Sequence, residues 1–221
     1  MTLTVIIPTL NAANVLPICL AALDPSDEIV ITDGGSRDAT VEIATQFGAE
    51  IVTGPRGRGV QMDAGSRYAS GVWLLFLHAD TVLAPSWRSE VARFIAERMN
   101  ENRAAVFRFG LDDESPAARR LEAIVAWRCR WLRLPYGDQG LLIRREFYRN
   151  IGGFRPMPIM EDVDMIRRIG RENLTILKST ARTSAAKWRR DGWWLRSLRN
   201  LSCLGLYFLG LPPRIIRSFY G

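Results

Sequence analysis

A chain of 221 residues with 48% hydrophobic and 24% charged residues is long enough for one well-buried domain and too apolar to stay disordered. Its net charge of +7 points to an anionic partner, but the excess is local. From Lys178 onward nine bases (Lys178, Arg182, Lys187, Arg189, Arg190, Arg196, Arg199, Arg214, Arg217) face the single acid Asp191, while the preceding segment is near neutrality. Cys19, Cys129 and Cys203 lie far apart, form no CxxC pair and are expected to be free, buried thiols. The opening residues lack a basic flank and a small-residue cleavage site, so they read as a strand rather than a signal peptide, and the expected location is cytoplasmic.

In chain order, apolar runs bounded by turn residues alternate with helix-period segments, the pattern of βα units feeding a mostly parallel sheet. Strands are expected at Thr4–Pro8, Glu28–Thr32, Glu50–Thr53, Val72–His78 and Ala104–Phe109. Helices follow, with Asn11 or Asn14, Ser36 and Ser86 as candidate N-caps and one helix over Gly59–Ala69. The second half is less regular: a helical stretch over Pro116–Arg133, a Gly-rich turn at Tyr136–Gly140 and a helix opening near Glu161. No linker or repeat divides the chain, so residues 1–190 read as one α/β domain and 191–221 as a basic, apolar helical tail that belongs to it or extends it. The apolar part of the tail, Leu201–Leu211, falls short of the roughly 20 residues that span a bilayer, and Pro212-Pro213 stops the helix. Contact with a membrane surface fits it; crossing does not.

Acids fall at the ends of the expected strands, the edge where open α/β sheets bind ligands. Asp80 closes the fourth strand in His78-Ala79-Asp80 and could hold Mn²⁺ or Mg²⁺, or cap the next turn. His78, the single histidine, reads first as a packing residue. Asp33-Gly34-Gly35-Ser36 places a second acid on the same edge, able to accept from a nucleobase or ribose, and Pro8-Thr9-Leu10-Asn11 could cradle a nucleoside through its backbone. Arg56-Gly57-Arg58-Gly59 puts two guanidinium groups ahead of a helix that carries Gln61 and Asp63, a setting that suits a diphosphate. Glu161-Asp162-Val163-Asp164 crowds three acids into one helical turn. They stabilise the helix through its dipole, or raise one another's pKa toward the range of a general base, with Asp162 as that base. Gly137-Asp138-Gln139 and Trp188-Arg189 are candidate acceptor-side groups, the first within a loop and the second within a run that mixes cations with aromatic rings.

In order and approximate spacing, Val5-Ile6-Ile7-Pro8-Thr9-Leu10-Asn11, Asp33-Gly34-Gly35-Ser36, Arg56-Gly57, His78-Ala79-Asp80, Gly152-Gly153-Phe154 and Glu161-Asp162 make the chain resemble the family 2 glycosyltransferases, and within them a compact bacterial subgroup. The resemblance implies a GT-A fold and a uridine or guanosine diphosphate sugar as donor. It places Pro8, Thr9, Asn11, Asp33, Gly34, Arg56, Gly57, Gln61, Ala79 and Asp80 at the nucleotide sugar, Asp80 at a divalent cation, and Asp162 with Glu161 at the catalytic step. The family's usual Asp-x-Asp metal motif has His78 in place of its first acid, and the Gln-x-x-Arg-Trp motif is absent in that form, so processive polymer synthesis is not implied. The expected reaction is inverting transfer to an acceptor hydroxyl, with a lipid-linked acceptor among the options and the tail meeting the inner face of the membrane. The competing readings are a basic nucleic-acid-binding module and a non-catalytic peripheral membrane protein. Only the glycosyltransferase explains the acids at the strand ends, so no nucleic acid is expected.

Overall fold

A computed structural model describes residues 2–220. In chain order the elements are β1 (Leu3–Thr9), α1 (Leu16–Ala21), β2 (Glu28–Asp33), α2 (Thr40–Gln46), β3 (Glu50–Thr53), α3 (Arg58–Tyr68), β4 (Trp73–Phe76), β5 (Thr81–Leu83), α4 (Trp87–Ala96), β6 (Ala104–Leu111), α5 (Pro116–Leu132), β7 (Leu141–Arg144), α6 (Arg145–Asn150), α7 (Glu161–Ile169), β8 (Leu174–Thr183), α8 (Ala186–Asp191), α9 (Trp193–Phe208) and α10 (Pro213–Tyr220). The eight strands form one sheet in the order β3-β2-β1-β4-β7-β6-β8-β5. Strands β3, β2, β1 and β4 run parallel, as do β6 and β8, while β7 lies antiparallel between β4 and β6, and β5 antiparallel to β8.

Every residue of β1 is buried, which makes it a central strand covered on both faces. Because successive side chains point to opposite faces, Ile6, Leu74, Phe76 and Ile143 enter one core and Val5, Ile7, Leu75 and Leu142 the other. Helices α1, α2 and α4 cover the second core through Leu16, Cys19, Ala44, Trp87 and Phe94. The first is closed by α3, α6 and α7, and also by the tail, whose Cys203, Leu204 and Ile216 are buried in it. All three cysteines are free and buried. No helix among the described residues is long and apolar enough to cross a membrane.

The five expected strands and the α3 and α5 helices appear within a few residues of their expected bounds. The end signals explain α5: Ser115 Oγ accepts from Ala118 N–H, Pro116 occupies the first turn, and Arg133 leaves the helix in the left-handed conformation. The other expected caps serve different purposes. Helix α1 begins after Val15, so neither Asn11 nor Asn14 caps it; Asn11 Oδ1 accepts instead from Arg37 N–H at 2.8 Å and ties two loops together. Ser36 lies ahead of α2 and bonds to Asp33, and Ser86 stands at the α4 N-cap with its hydroxyl on Ser179. Strands β5, β7 and β8 were not expected. In β8 the inward positions include Ser179, Ala181 and Thr183, small or polar residues that hide the alternation from a hydropathy reading. The tail helix does stop before Pro212-Pro213, but Pro213 then opens α10, since a proline in a first turn costs no hydrogen bond.

Helix α3 lies close against β1 and β2 because Gly65 presents no side chain to them. A Cβ there would come within 2.5 Å of Ile6 Cγ2 and 2.9 Å of Thr32 Cγ2. Gly65→Ala should therefore lower stability by about 1–3 kcal/mol despite the better helix propensity of alanine; urea unfolding monitored by circular dichroism measures it, and a stabilised variant would show that α3 shifts freely.

Candidate active site

The C-terminal ends of β1, β2 and β4 lie side by side, as the parallel pairing of Thr9 with Asp33 and of β1 with β4 requires. At the β1–β2 end the loops are internally bonded. Asp33 is 2% exposed and its carboxylate accepts four bonds: Oδ1 from the Thr9 and Ser36 hydroxyls, Oδ2 from the Gly35 and Ser36 amides. Burial works to raise its pKa, yet the donors from Ser36, Thr9 and Gly35 together hold it below the ordinary carboxylate range. Gln61, from α3, donates Nε2 to the Thr9 and Thr32 carbonyls at 2.8 and 2.6 Å and accepts from Gly57 N–H. Asp33 and Gln61 thus build the loop frame, which also takes up Gly34 N–H on the Thr9 carbonyl and Asn11 N–H on Ser36 Oγ; Pro8, Thr9 and Gly34 are buried, and Leu10 and Asn11 are what this loop exposes.

Beyond β4 the chain enters a cleft of about 400 Å³ whose polar floor is made by Arg58, His78, Asp80, Asp138 and Asp162. Four elements supply them: the start of α3, the β4–β5 loop, the turn before β7 and the first turn of α7. Asp80 and Asp162, which the resemblance assigns to the cation and the catalytic step, line this cleft with Asp138; Asp33, assigned with Asp80 to the nucleotide sugar, remains on the same sheet edge outside it. Asp162 Oδ2 accepts from Gly137 N–H at 2.8 Å, and a Cβ on Gly137 would stand 3.3 Å from that oxygen and 3.0 Å from His78 Nε2. Glycine is what lets the turn, the imidazole and the carboxylate crowd together. The N-cap of α7, Met160, holds φ at 67°, a left-handed conformation costly for a side-chain-bearing residue, directly before the acids.

The three acids of α7 fan out rather than cluster. Glu161, buried, meets Arg58 Nε at 2.8 Å; Asp164 pairs with Arg155 and Arg168; only Asp162 faces the cleft. Burial pushes the Glu161 carboxyl up, with Asp162 adding to the effect and Arg58 opposing it. His78 is pushed down to about 4 by burial and by Arg58, against Asp80 and Asp162, so its imidazole is neutral near pH 7. Asp138 is pushed up to about 6 by burial, with Asp162 and Asp80 adding like-charge repulsion and Arg128 opposing it.

Other expected site residues take structural or peripheral places. Arg56 is exposed and outside the cleft, whereas its neighbour Arg58, set at the first helical position by the Gly57 turn, lines it. Ala79 packs against the second core. Gln139 is buried, donating to the Phe107 carbonyl and accepting from Cys129 and Tyr136. Trp188 lines the cleft and meets Phe109 edge-on, while Arg189 points away to Asp112 and Asp113. Arg128, Lys187 and Arg196, also in the lining, had no motif to single them out.

Among the described residues no group of three or more His, Cys, Asp or Glu side chains is arranged to hold a metal ion. The donor chemistry nonetheless fits a hard divalent cation. Asp80 and Asp138 offer carboxylate oxygens, and Asp138 Oδ1 is buried without a partner. A diphosphate would supply the remaining oxygens.

Comparison with known proteins agrees with this architecture. The model of Glycosyl transferase family 2 matches residues 4–159, and the chain belongs to that family. The PGL/p-HBAD biosynthesis glycosyltransferase of Mycobacterium bovis (strain BCG / Pasteur 1173P2) is 41% identical over 106 residues; the match covers 42% of this chain and 41% of that protein. In solved structures, S. aureus TarS superimposes with a TM-score of 0.64 at 14% identity, covering 99% of this chain and 42% of that one. Glucosyl-3-phosphoglycerate synthase from Mycobacterium tuberculosis, in complex with Mn²⁺ and UDP-glucose, gives 0.60 at 17%, covering 83% and 69%. The fold is the GT-A fold of these glycosyltransferases.

The raised Asp138 carboxyl has a stability consequence. Its folded pKa of about 6 exceeds the ordinary 3.8, so the native state binds the proton more tightly, and ionisation costs stability above pH 6 but not below pH 3.8. Without metal, Asp138→Asn should stabilise the fold by up to about 2 kcal/mol at pH 7, a gain that vanishes on acidification below pH 4. Thermal melts across that range check it; a variant less stable at pH 7 would contradict it.

Proposed function

We propose that this chain is an inverting glycosyltransferase that moves a sugar from a nucleoside diphosphate sugar to an acceptor hydroxyl, with Asp162 as general base. The observation that carries the reading is that Asp162 and Asp80, far apart in sequence, line one cleft together with His78 and Arg58. Uridine diphosphate is the favoured donor nucleotide over guanosine diphosphate, because structural neighbours were solved with UDP or UDP-glucose.

In this reading the exposed loop after β1, Leu10–Asn11, on the frame that Asp33 and Gln61 maintain, receives the nucleoside. Arg58, steadied by Glu161, faces the diphosphate. A divalent cation held by Asp80, with Asp138 beside it, would neutralise the leaving diphosphate. Gly137 N–H occupies one lone pair of Asp162 Oδ2 and orients the carboxylate to accept the acceptor's proton. As the acceptor oxygen bonds to the anomeric carbon, the bond to the diphosphate oxygen breaks and its electron pair leaves with the nucleotide; one displacement inverts the carbon. A positioned general base contributes about 10²–10⁴ in rate. The acceptor approaches past Gly137, Asp138 and Trp188. The basic tail would bring the cleft to the inner, cytoplasmic surface of a membrane without crossing it.

A thermal-shift series of nucleoside diphosphates with and without Mn²⁺ tests the donor site. UDP with Mn²⁺ at about a hundredfold over Kd should stabilise the protein by about 2.7 kcal/mol, and Asp80→Asn should lose the metal-dependent part. If no nucleotide shifts the melt, or if Asp80→Asn keeps the full Mn²⁺ increment, the site assignment is wrong.

A further inference from the structure

Besides its polar groups the cleft has an apolar lining. One wall is α5, presenting Leu121, Ile124 and Val125; the other is α9, presenting Trp194, Leu198 and Leu201. The apolar positions recur at helical spacing along each helix and continue outward onto open surface, through Trp127 and Trp131 on α5 and Leu195 on α9. Trp131 is 64% and Trp194 78% exposed. Among the described residues, twelve of the eighteen large apolar side chains that stand exposed belong to α5, α9, α10 or the residue closing α9. A concentration of that kind marks a binding surface. A free, hydroxyl-rich sugar would gain nothing from such walls; a hydrocarbon chain would.

The same lining also holds polar side-chain atoms that have no partner among the described residues. Five of the ten buried side-chain atoms without a partner among the described residues belong to cleft-lining groups: Arg128 Nη2, Asp138 Oδ1, Trp188 Nε1, Arg196 Nε and Asn200 Oδ1. A buried polar atom without a partner is costly, so their collection in one cleft indicates a ligand that pairs them. Three are N–H donors, two of them guanidinium groups already held in place. Arg196, 7% exposed, bonds Asp191 and the Tyr220 hydroxyl; Arg128 stacks 3.6 Å from the Tyr136 ring and donates to the Leu134 carbonyl. Lys187 and Arg58 bring the cations of the lining to four.

We propose that the acceptor is a phosphate-bearing lipid, its phosphate taken by Arg128, Trp188 and Arg196 and its hydrocarbon chain laid between α5 and α9. This rests on the glycosyltransferase reading and names the substrate class of that same cleft. Arginine with an indole donor suits a phosphate oxygen set, and the chain leaves along the exposed tryptophans toward a lipid surface.

The test uses the full chain saturated with UDP and Mn²⁺, titrated with inorganic phosphate, then butyl, octyl and dodecyl phosphate below their micellar concentrations, and with a neutral dodecyl glycoside, following tryptophan fluorescence and the melt. Dodecyl phosphate should bind at least about tenfold more tightly than butyl phosphate, because each added methylene is buried, and both should bind beside UDP. Arg128→Gln should remove the advantage over the neutral glycoside, and Ile124→Ser with Leu198→Ser the dependence on chain length, each leaving the UDP–Mn²⁺ shift intact. The wild-type chain-length series stands without the variants should they fold poorly. Equal binding of inorganic phosphate, equal binding of the neutral glycoside, or displacement by UDP would overturn the proposal while the donor site stood. Loss of the UDP shift in the wild-type chain would instead overturn the glycosyltransferase reading.

Discussion

The hydrogen bond from Gly137 N–H to Asp162 Oδ2 ties the turn before β7 to the first turn of α7 at the point where chemistry is proposed to occur. The turn that carries Gly137 leads into β7, the antiparallel strand wedged between β4 and β6, and Asp162 opens α7 on the face that β4 and β7 line. A Cβ there would crowd His78 Nε2 at 3.0 Å and Asp162 Oδ2 at 3.3 Å, so any side chain at this position would press on both groups. The bond therefore depends on the sheet order, and the shape of the cleft depends on the bond. Met160, strained at φ 67°, is consistent with the same demand: the helix has to begin where the carboxylate is wanted.

Charge is divided within a small volume. Each acid of the α7 turn has its own partner, Arg58 for Glu161, the Gly137 amide for Asp162, and Arg155 with Arg168 for Asp164. That arrangement answers the question left open by three adjacent acids. Two of them are neutralised by arginines, and one is left facing the cleft. Across the cleft, the charges of Asp162 and Asp80 oppose the ionisation of Asp138, a repulsion that a bound cation would relieve.

Much of this could be read in the residues alone. The apolar runs ending in Pro8-Thr9, Asp33-Gly34 and His78-Ala79-Asp80 located the parallel strands and their shared edge, since a buried parallel strand is a continuous apolar run. What stayed hidden has physical causes. Strand β8 turns Ser179 and Thr183 inward, so hydropathy did not mark it. Asp33 sits on the correct edge, but nothing in its spacing shows that four donors fill its carboxylate. Arg56 and Arg58 are equivalent as letters; the φ of 141° at Gly57 separates them, leaving one in solvent and fixing the other at the helix start. The apolar face of α5 was visible as a helix, yet its pairing across a cleft with α9 is a tertiary fact.

The most direct test of the central claim, that Asp162 takes the acceptor proton in a single displacement, is ¹H NMR of donor turnover with water as acceptor. Wild type should release first the anomer opposite to that of the donor, and Asp162→Asn should lose at least about 10²-fold in rate while calorimetry shows donor binding unchanged. Release of the retained anomer, or full turnover in Asp162→Asn, would contradict it.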